Sequence, residues 1–489
     1  MDWGDRLGRL CRSTLPGMKK LARYIALGAG WLSRKLGRGG GTTLPGVVML
    51  KLRPKAVAEL SADLSHGTVL VSATNGKTTT TRLLGAALPA AGYRLVTNAE
   101  GSNLERGVAT ALLKAGDADL GLFEVDEAAL GAVARAGRPA VVVLMNLFRD
   151  QLDRYGELET LVDLWKGILD DLDAQSEPPA LVLNADDPNI AALGQGRKNV
   201  VWFGIDDTTH AISALEHAAD ATTCRLCGTE LEHSAVLVGH LGHWTCPTGD
   251  AIRPEPMVAA SVIELAPAGQ TVTVAYPDAS GSDITSPAAE ISITSPLPGL
   301  HNAYNIVASF AASWALAQRT GRAQQPHAVA DRIGATAPAF GRGETIAVRD
   351  KTVRLLLAKN PTGVNQNVRT VLTEPSQLHV LILLNDRTAD GQDISWIWDV
   401  DWEPLQPRLA SLTLGGDRAW DLALRFRYGG FDMDVVTIEP DPAKALDTAL
   451  SSVPIDGTLH TLPTYTAMLD VRSVLTKRGH TGEYWSEES

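Results

Sequence analysis

The residues best suited to chemistry lie between positions 74 and 127. "TNGKTTTT" (74–81) follows the apolar run "TVLVSA", and Gly76-Lys77-Thr78 has the composition of a phosphate cradle. A strand that ends in a loop and then a helix presents backbone N–H groups to an anion, and the helix dipole adds favourable charge. Gly76 lets the backbone approach the phosphates. Lys77 neutralises their charge, and the Thr78 hydroxyl is placed to ligate Mg²⁺. Thr74, Asn75 and Thr79 complete the loop. It is not the full Walker form, because Val71 stands where the first glycine belongs. Glu124 closes the next carboxylate-bearing strand, "GLFEV", at the strand end where ligand-binding residues of open α/β sheets gather. Its carboxylate oxygen suits Mg²⁺, as a direct ligand or through an intervening group, and the alternative is a solvated carboxylate at a strand end. Asp126 and Glu127 read as the start of a helix.

A second cluster is made of sulfur. Cys224 and Cys227 in "CRLCG" have knuckle spacing, and Cys246 follows in "GHWTCPTGD". A structural zinc site wants four ligands in a tetrahedron. The fourth is unassigned, since Thr248 and Gly249 occupy the places where a partner would stand. His233, His240 or His243 are candidates, and a metal-free loop held by packing is the alternative. Either way the cluster reads as structural.

These residues need elements to hold them. From about residue 68, strand-like runs ("TVLVSA", "DLGLFEV", "AVVVLMN", "ALVLN") alternate with helical periodicity ("TTTTRLLGAAL", "LETLVDLWKGILDDL"), which predicts a parallel sheet with helices on both faces. Short β runs and the cysteine insertion (about 220–256) follow, then a helix at "AYNIVASFAASWALAQRT". A second β/α series begins past "GRGE", so the expected division is 1–45, a basic segment; 46–344, a central domain; and 345–489, a C-terminal domain. At 489 residues more than one domain is required. A net charge of −12 argues against a nucleic-acid partner. Four cysteines make no disulfide framework, which suits a reducing, cytoplasmic location. No run is long and apolar enough to span a membrane. The basic N-terminal segment reads as a helix docked on its own domain. Alternatively it is an amphipathic segment near anionic lipid at the inner face of the membrane, with Ile25, Trp31 and Leu32 on its apolar side.

In order, "TNGKTTT", "FEVDE", "MNLFRDQLDRYGE", "LNADDP", "HNAYNIVAS" and "GRGE" resemble the central domain of the Mur ligases and folylpolyglutamate synthases. That resemblance implies ATP-dependent amide formation through an acyl phosphate. It also implies that Asn302 and Asn305 lie near the base, that Arg342 links the domains near the phosphates, and that Asn184, Asp186 and Asp187 lie on the nucleotide side. Ala73 departs from the glycine usual before TNGKT. About seventy residues precede the loop, too few for the domain that holds UDP in the Mur ligases of soluble precursors. The cysteine insertion, "LAKNPTGVNQNV" and "LNDRTADGQDISWIWDVDWE" narrow the resemblance to the MurT ligase subunits of lipid II isoglutaminyl synthases, in which the second knuckle carries two cysteines. The implied fold is α/β: a Mur-ligase-like phosphate-loop domain with a parallel sheet and a small zinc-ribbon-like insertion, then a Rossmann-like α/β domain.

Glutamine hydrolysis needs a thiolate and a histidine base. Outside the cluster the chain has only Cys11, with no histidine near it in sequence. The resemblance therefore implies a separate GatD-like glutaminase that supplies ammonia, lipid II as acceptor, and Asp393 as the acid that orients the partner's histidine. Residue type alone does not select Asp393, because Asp386, Asp390, Asp399 and Asp401 are close by and Asp/Gly-rich loops are common turns. Trp396, Trp398 and Trp402 alternate as in a strand, as core or interface anchors. Two other readings stay open at this point. One is a self-sufficient ligase that takes an amino acid; the other is a nucleotide-binding scaffold that no longer catalyses.

Overall fold

The computed structural model describes residues 16–35, 43–98, 102–150, 158–278, 288–338 and 340–482. Cys11, residues 151–157 of "MNLFRDQLDRYGE" and the Leu32 side chain lie outside the described residues. Three helices come first: α1 (Pro16–Lys35), α2 (Leu44–Leu52) and α3 (Ala56–Ser61). The alternation then runs β1 (Thr68–Ser72), α4 (Lys77–Ala90), β2 (Leu95–Thr97), α5 (Glu105–Leu113), β3 (Leu120–Glu124), α6 (Leu130–Gly137) and β4 (Pro139–Leu144). It continues with α7 (Leu158–Asp173), β5 (Ala180–Asn184), α8 (Pro188–Gly194) and β6 (Val200–Ile205). The hairpin β7 (Glu232–Val238) and β8 (Leu241–Thr245) precedes β9 (Val258–Ala266), β10 (Gly269–Tyr276) and β11 (Ala289–Ser295). Helices α9 (Leu300–Thr320) and α10 (Pro326–Gly334) complete this part.

The large sheet has the order β11-β10-β9-β6-β5-β4-β1-β3-β2. Strand β1 is buried along its whole length and pairs in parallel with β3 and β4. Both of its faces are covered: Val69 and Val71 join a core with α4 and α9, while Leu70 joins another with α5, α6 and α7. That double burial is why the run before the phosphate loop is apolar throughout rather than alternating. Helix α7 shows the opposite pattern, burying Leu161, Val162, Trp165, Ile168, Leu169 and Leu172 at helical spacing. The expected parallel sheet carries an antiparallel edge, β9-β10-β11. Only residues 267 and 268 separate β9 from β10, and a loop that short allows only an antiparallel return. The excursion between β6 and β9 spans 206–257, wider than the expected insertion.

A second sheet has the order β12-β13-β17-β14-β15-β16. Its elements are β12 (Arg342–Val348), β13 (Lys351–Leu356), α11 (Pro361–Val371), β14 (Leu378–Leu383), β15 (Leu409–Gly415), α12 (Ala419–Tyr428), β16 (Val436–Ile438), α13 (Pro442–Ser452), β17 (Thr458–Pro463) and α14 (Tyr465–Lys477). All pairs are parallel except β12 with β13, where Arg342 opposes Leu356. The sheet thus starts at Arg342, ahead of the division expected at 345. The alternating tryptophans do not form a strand. Trp396 and Trp398 sit on a 3₁₀ turn (Ser395–Asp399), and Trp402 precedes another (Glu403–Arg408) that contains Pro404 and Pro407. Proline cannot donate to a ladder, which excludes a central strand there. Trp402 is core, whereas Trp398 is exposed. Among the described residues no helix is long and apolar enough to cross a membrane.

Candidate active site

Residues 74–79 connect β1 to α4 and line a cavity of about 500 Å³. Gly76 caps α4 at φ 91°, and a Cβ there would come within 2.2 Å of Asn305 Oδ1. Glycine is required both by the left-handed backbone and by that asparagine. Asn146, just past β4, holds the loop from the other side: Asn75 N–H donates to its Oδ1 at 2.9 Å, and its Nδ2 donates to Asn75 O at 3.0 Å. The Phe148 N–H donates to Thr74 Oγ1 at 3.0 Å. Ala73 is fully buried and is not among the residues at positive φ, so its methyl group fits where the related loops have glycine.

Lys77 Nζ lies 2.8 Å from Glu127 Oε2, a pair almost wholly shielded from solvent, and also donates to Ala73 O. The sequence reading took Glu127 for a helix start, but α6 begins only at Leu130. A signal was present: three acids cluster at the end of β3, opposite a loop with one lysine. Glu124 and Thr78 both line the same cavity. A hydroxyl and a carboxylate on one wall are hard oxygen donors that fit Mg²⁺.

Asn302, Asn305 and Arg342 also line the cavity. Asn305 Nδ2 donates to Asn302 Oδ1 at 2.8 Å, and Asn302 Nδ2 to Pro298 O at 2.7 Å. The neighbouring His301 has its pKa pressed down to about 4, first by desolvation and then by Arg342 and Arg369, so its ring is neutral at physiological pH. Asn184, Asp186 and Asp187 are not on the cavity. All three are completely buried: Asp187 caps α8, Asp186 accepts from Tyr304 (2.7 Å) and Arg253 (2.7 Å), and Asn184 Nδ2 donates to Met145 O. They shape the floor under the site, because a buried carboxylate needs partners from several elements at once.

The opposite wall comes from the second sheet's domain. Lys359 Nζ is 2.5 Å from Asp150 Oδ2. Burial presses the lysine's pKa down, but Asp150 and Glu127 outweigh it and hold the ammonium charged. Asn360 Nδ2 donates to Asn75 Oδ1 at 2.9 Å, while Asn360 Oδ1 accepts from Gly363 N–H at 2.8 Å and so caps α11. One side chain thus joins the phosphate loop to the start of a helix in the other domain. Asp150, Lys359 and Asn360 were missed from sequence, although Lys359 and Asn360 stand in the quoted "LAKNPTGVNQNV".

The acids of the C-terminal motif separate cleanly. Asp386 faces Arg418 at 3.4 Å, Asp390 accepts from Thr466 N–H at 2.8 Å, Asp399 faces Arg149 at 3.6 Å, and Asp401 holds His217 and accepts from Asn365 Nδ2 at 3.1 Å. Asp393 is exposed and accepts only from the nearby Ser395 N–H, at 2.8 Å, among the described residues.

Cys224, Cys227 and Cys246 come together, their sulfurs all within 4.8 Å of one another and two of them 3.5 Å apart. The two turns close differently: Gly228 N–H donates to Cys224 O, four residues back, and Gly249 N–H to Cys246 O, three back. Gly249, at φ 80°, follows Cys246 at the spacing that separates Cys227 from Cys224, so in sequence it stands where a fourth sulfur would be. None of the candidate histidines joins the group. His240 is buried between Phe148 and Asp187, His243 Nε2 is 2.8 Å from Ile205 O, and His233 lies opposite Trp244 in the hairpin. Thr248 Oγ1 sits 2.8 Å from Cys246 Sγ and 2.6 Å from Asp250 Oδ2. The hydroxyl's hydrogen bond pulls the Cys246 pKa down, while burial pushes that of Cys224 up.

Comparison with known proteins matches both halves. A family model described as Mur ligase middle domain covers residues 71–245, and one described as MurT ligase C-terminal covers 357–468. A Streptococcus pneumoniae protein named lipid II isoglutaminyl synthase (glutamine-hydrolyzing) subunit MurT is 29% identical over 91% of this chain and 94% of its own length. The chain is similar to MurT subunits along nearly its whole length. A MurT subunit of the same name from Staphylococcus aureus is 26% identical over 95% of this chain and 100% of its own. In fold, the MurT-type chain is similar to a pseudomurein peptide ligase type C from Methanothermus fervidus. The TM-score is 0.63 at 20% identity, over 84% of this chain and 79% of that one.

The Asn75–Asn360 contact gives a test. Asn360→Ala removes both the loop contact and the cap, and should cost about 1 kcal/mol of stability. Asn360→Asp keeps the cap but sets a negative charge beside the phosphate loop. It should melt close to the parent yet bind ATP at least about tenfold more weakly. Equal ATP affinity in Asn360→Asp, measured by calorimetry, would show that the contact does not serve the loop.

Proposed function

We propose that this chain is the ligase subunit of a two-protein amidating enzyme. It uses ATP to convert the α-carboxylate of D-glutamate in the lipid II stem peptide to the amide, at the inner face of the membrane, in peptidoglycan synthesis. The observation that carries this is the cavity itself: a phosphate loop with Lys77, Thr78 and Glu124 on one wall, and the MurT-type domain supplying Arg342 and Lys359 on the other. The well-fitted Ala73 removes the main hint of a non-catalytic scaffold.

The chemistry runs in two displacements. A carboxylate oxygen of the acceptor attacks the γ-phosphorus of ATP, the bond to ADP breaks, and an acyl phosphate forms. Ammonia then attacks the acyl carbon, the carbon–oxygen bond breaks, inorganic phosphate leaves, and the nitrogen sheds its proton as the amide forms. Lys77, Arg342 and Lys359 are fixed cations around the oxygens that gain charge, which is where phosphoryl transfer gains most of its catalysis. Thr78 and Glu124 would hold Mg²⁺, which neutralises phosphate oxygens when bound.

Ammonia comes from a GatD-like glutaminase whose histidine Asp393 orients. A carboxylate that meets no cation among the described residues and is exposed at the surface suits that role, because it must bond an imidazole from another chain. Lys77→Ala should lower amide formation by at least about 100-fold with either glutamine or ammonia as donor. Asp393→Asn should lose a similar factor with glutamine but regain activity with ammonium salts. Mass spectrometry of the stem peptide reads both. Glutamine-driven activity left intact in Asp393→Asn would refute the cross-subunit role.

Three sulfurs converge in a way compatible with a structural zinc, and Asp250, which accepts a hydrogen bond from Thr248 beside them, would supply the fourth ligand. The purified chain should hold about one zinc by elemental analysis. Cys224→Ser should lose it, and Asp250→Ala should weaken it at least about tenfold in a chelator competition. Zinc retained as tightly in Asp250→Ala would assign the fourth position elsewhere.

A further inference from the structure

Helix α1 has two unlike faces. Ala22, Ala26 and Gly30 recur every four residues and are buried, forming a flat stripe that packs against α2. A Cβ on Gly30 would lie 2.6 Å from Pro45, so the two helices approach as closely as glycine permits. Leu21, Tyr24 and Ile25 face outward at 53%, 71% and 40% exposure, and Trp31, further along, is 57% exposed. Three large apolar side chains at helical spacing within five residues form a continuous patch on the outside of the fold.

Charge marks what covers it. The helix contains Lys19, Lys20, Arg23, Arg34 and Lys35 and no acidic residue, in a chain whose net charge is −12. A self-complementary contact with a second copy would bring this basic helix against itself and repel. A helix that carries an exposed apolar patch and only basic charges in its sequence suits an anionic bilayer, where apolar burial and attraction to headgroups add.

Position ties the patch to the site. The Gly46 N–H of α2 donates to Thr110 Oγ1 of α5 at 2.8 Å, and a Cβ on Gly46 would collide with Arg106 O. Arg106, at the start of α5, lines the cavity together with Asn103 and Leu104. Three helices in tight register therefore connect the outward face of α1 to the cavity rim.

We propose that α1 is a membrane-docking helix that lays Leu21, Tyr24 and Ile25 into an anionic phospholipid surface and so holds the cavity rim next to a lipid-anchored acceptor. Only the second clause rests on the proposed function, and vesicle binding tests the first without any turnover. The full chain is sedimented with phosphatidylcholine vesicles, and with vesicles in which about one third of the lipid is phosphatidylglycerol. Binding to the anionic vesicles should be at least about tenfold stronger and should fall with added salt. The variant Leu21→Asp/Tyr24→Asp/Ile25→Asp, altered only at exposed positions, should melt like the parent and lose at least about tenfold in vesicle binding. Its turnover should drop with acceptor in vesicles but not with acceptor dispersed in detergent micelles. Lys19→Glu/Lys20→Glu/Arg23→Glu should lose the preference for anionic lipid. Undiminished binding by the aspartate variant, or equal binding of the parent to neutral vesicles, overturns the proposal. So does a dimer of the parent that the aspartate variant breaks while its vesicle binding is unchanged, which would give the face to a second copy. A failure of amidation with normal vesicle binding would instead count against the proposed function.

Discussion

The site depends on the conformation of residues 74–77, and three asparagines from three elements hold it. Asn146 bonds the Asn75 backbone from the end of β4, Asn305 of α9 fills the space that only Gly76 leaves open, and Asn360 bonds the Asn75 side chain from the other domain. A phosphate loop works by keeping backbone N–H groups aimed at one point. Amide side chains suit the task because each offers both a donor and an acceptor without adding charge where phosphate must sit. The third asparagine also caps α11, so the loop's shape and the position of the C-terminal domain are coupled through one side chain.

Charge in the cavity follows the same economy. Two lysines point into a partly buried space, and each has a carboxylate partner from the central domain: Glu127 for Lys77 and Asp150 for Lys359. An unpaired ammonium there would be costly. The carboxylates hold both cations in place until phosphate oxygens compete for them. The pairs also explain why this wall is rich in acid although its ligand is an anion.

Much of this was legible in the sequence, for definable reasons. The doubly covered parallel sheet showed itself as uninterrupted apolar runs, and the loop as Gly-Lys-Thr at the end of one of them. What stayed hidden came from tertiary contact. Glu127 looked like a helix start because the cluster of acids after β3 does not say which of them meets Lys77. Asn184, Asp186 and Asp187 looked like a polar ligand set, yet their partners, Tyr304, Arg253 and the α8 N-terminus, lie elsewhere in the fold or satisfy them internally. Trp396, Trp398 and Trp402 imitated a strand, yet the first two lie on a 3₁₀ turn and the third precedes another that contains Pro404 and Pro407. Asp393 could not be told from its four neighbours by composition. In the structure the other four meet groups distant in sequence, whereas Asp393, among the described residues, accepts only from Ser395 N–H two positions on.

The central claim is that the two domains close on one cavity in which ATP activates a carboxylate before nitrogen arrives. Oxygen labelling tests it most directly. Lipid II carrying ¹⁸O in the α-carboxylate of its D-glutamate, turned over by the chain and its glutaminase, should place about one ¹⁸O in the inorganic phosphate for each amide formed, because the acyl-phosphate oxygen leaves with phosphorus. Phosphate that is released without label, while amide accumulates, would contradict activation through an acyl phosphate and with it the role given to the cavity.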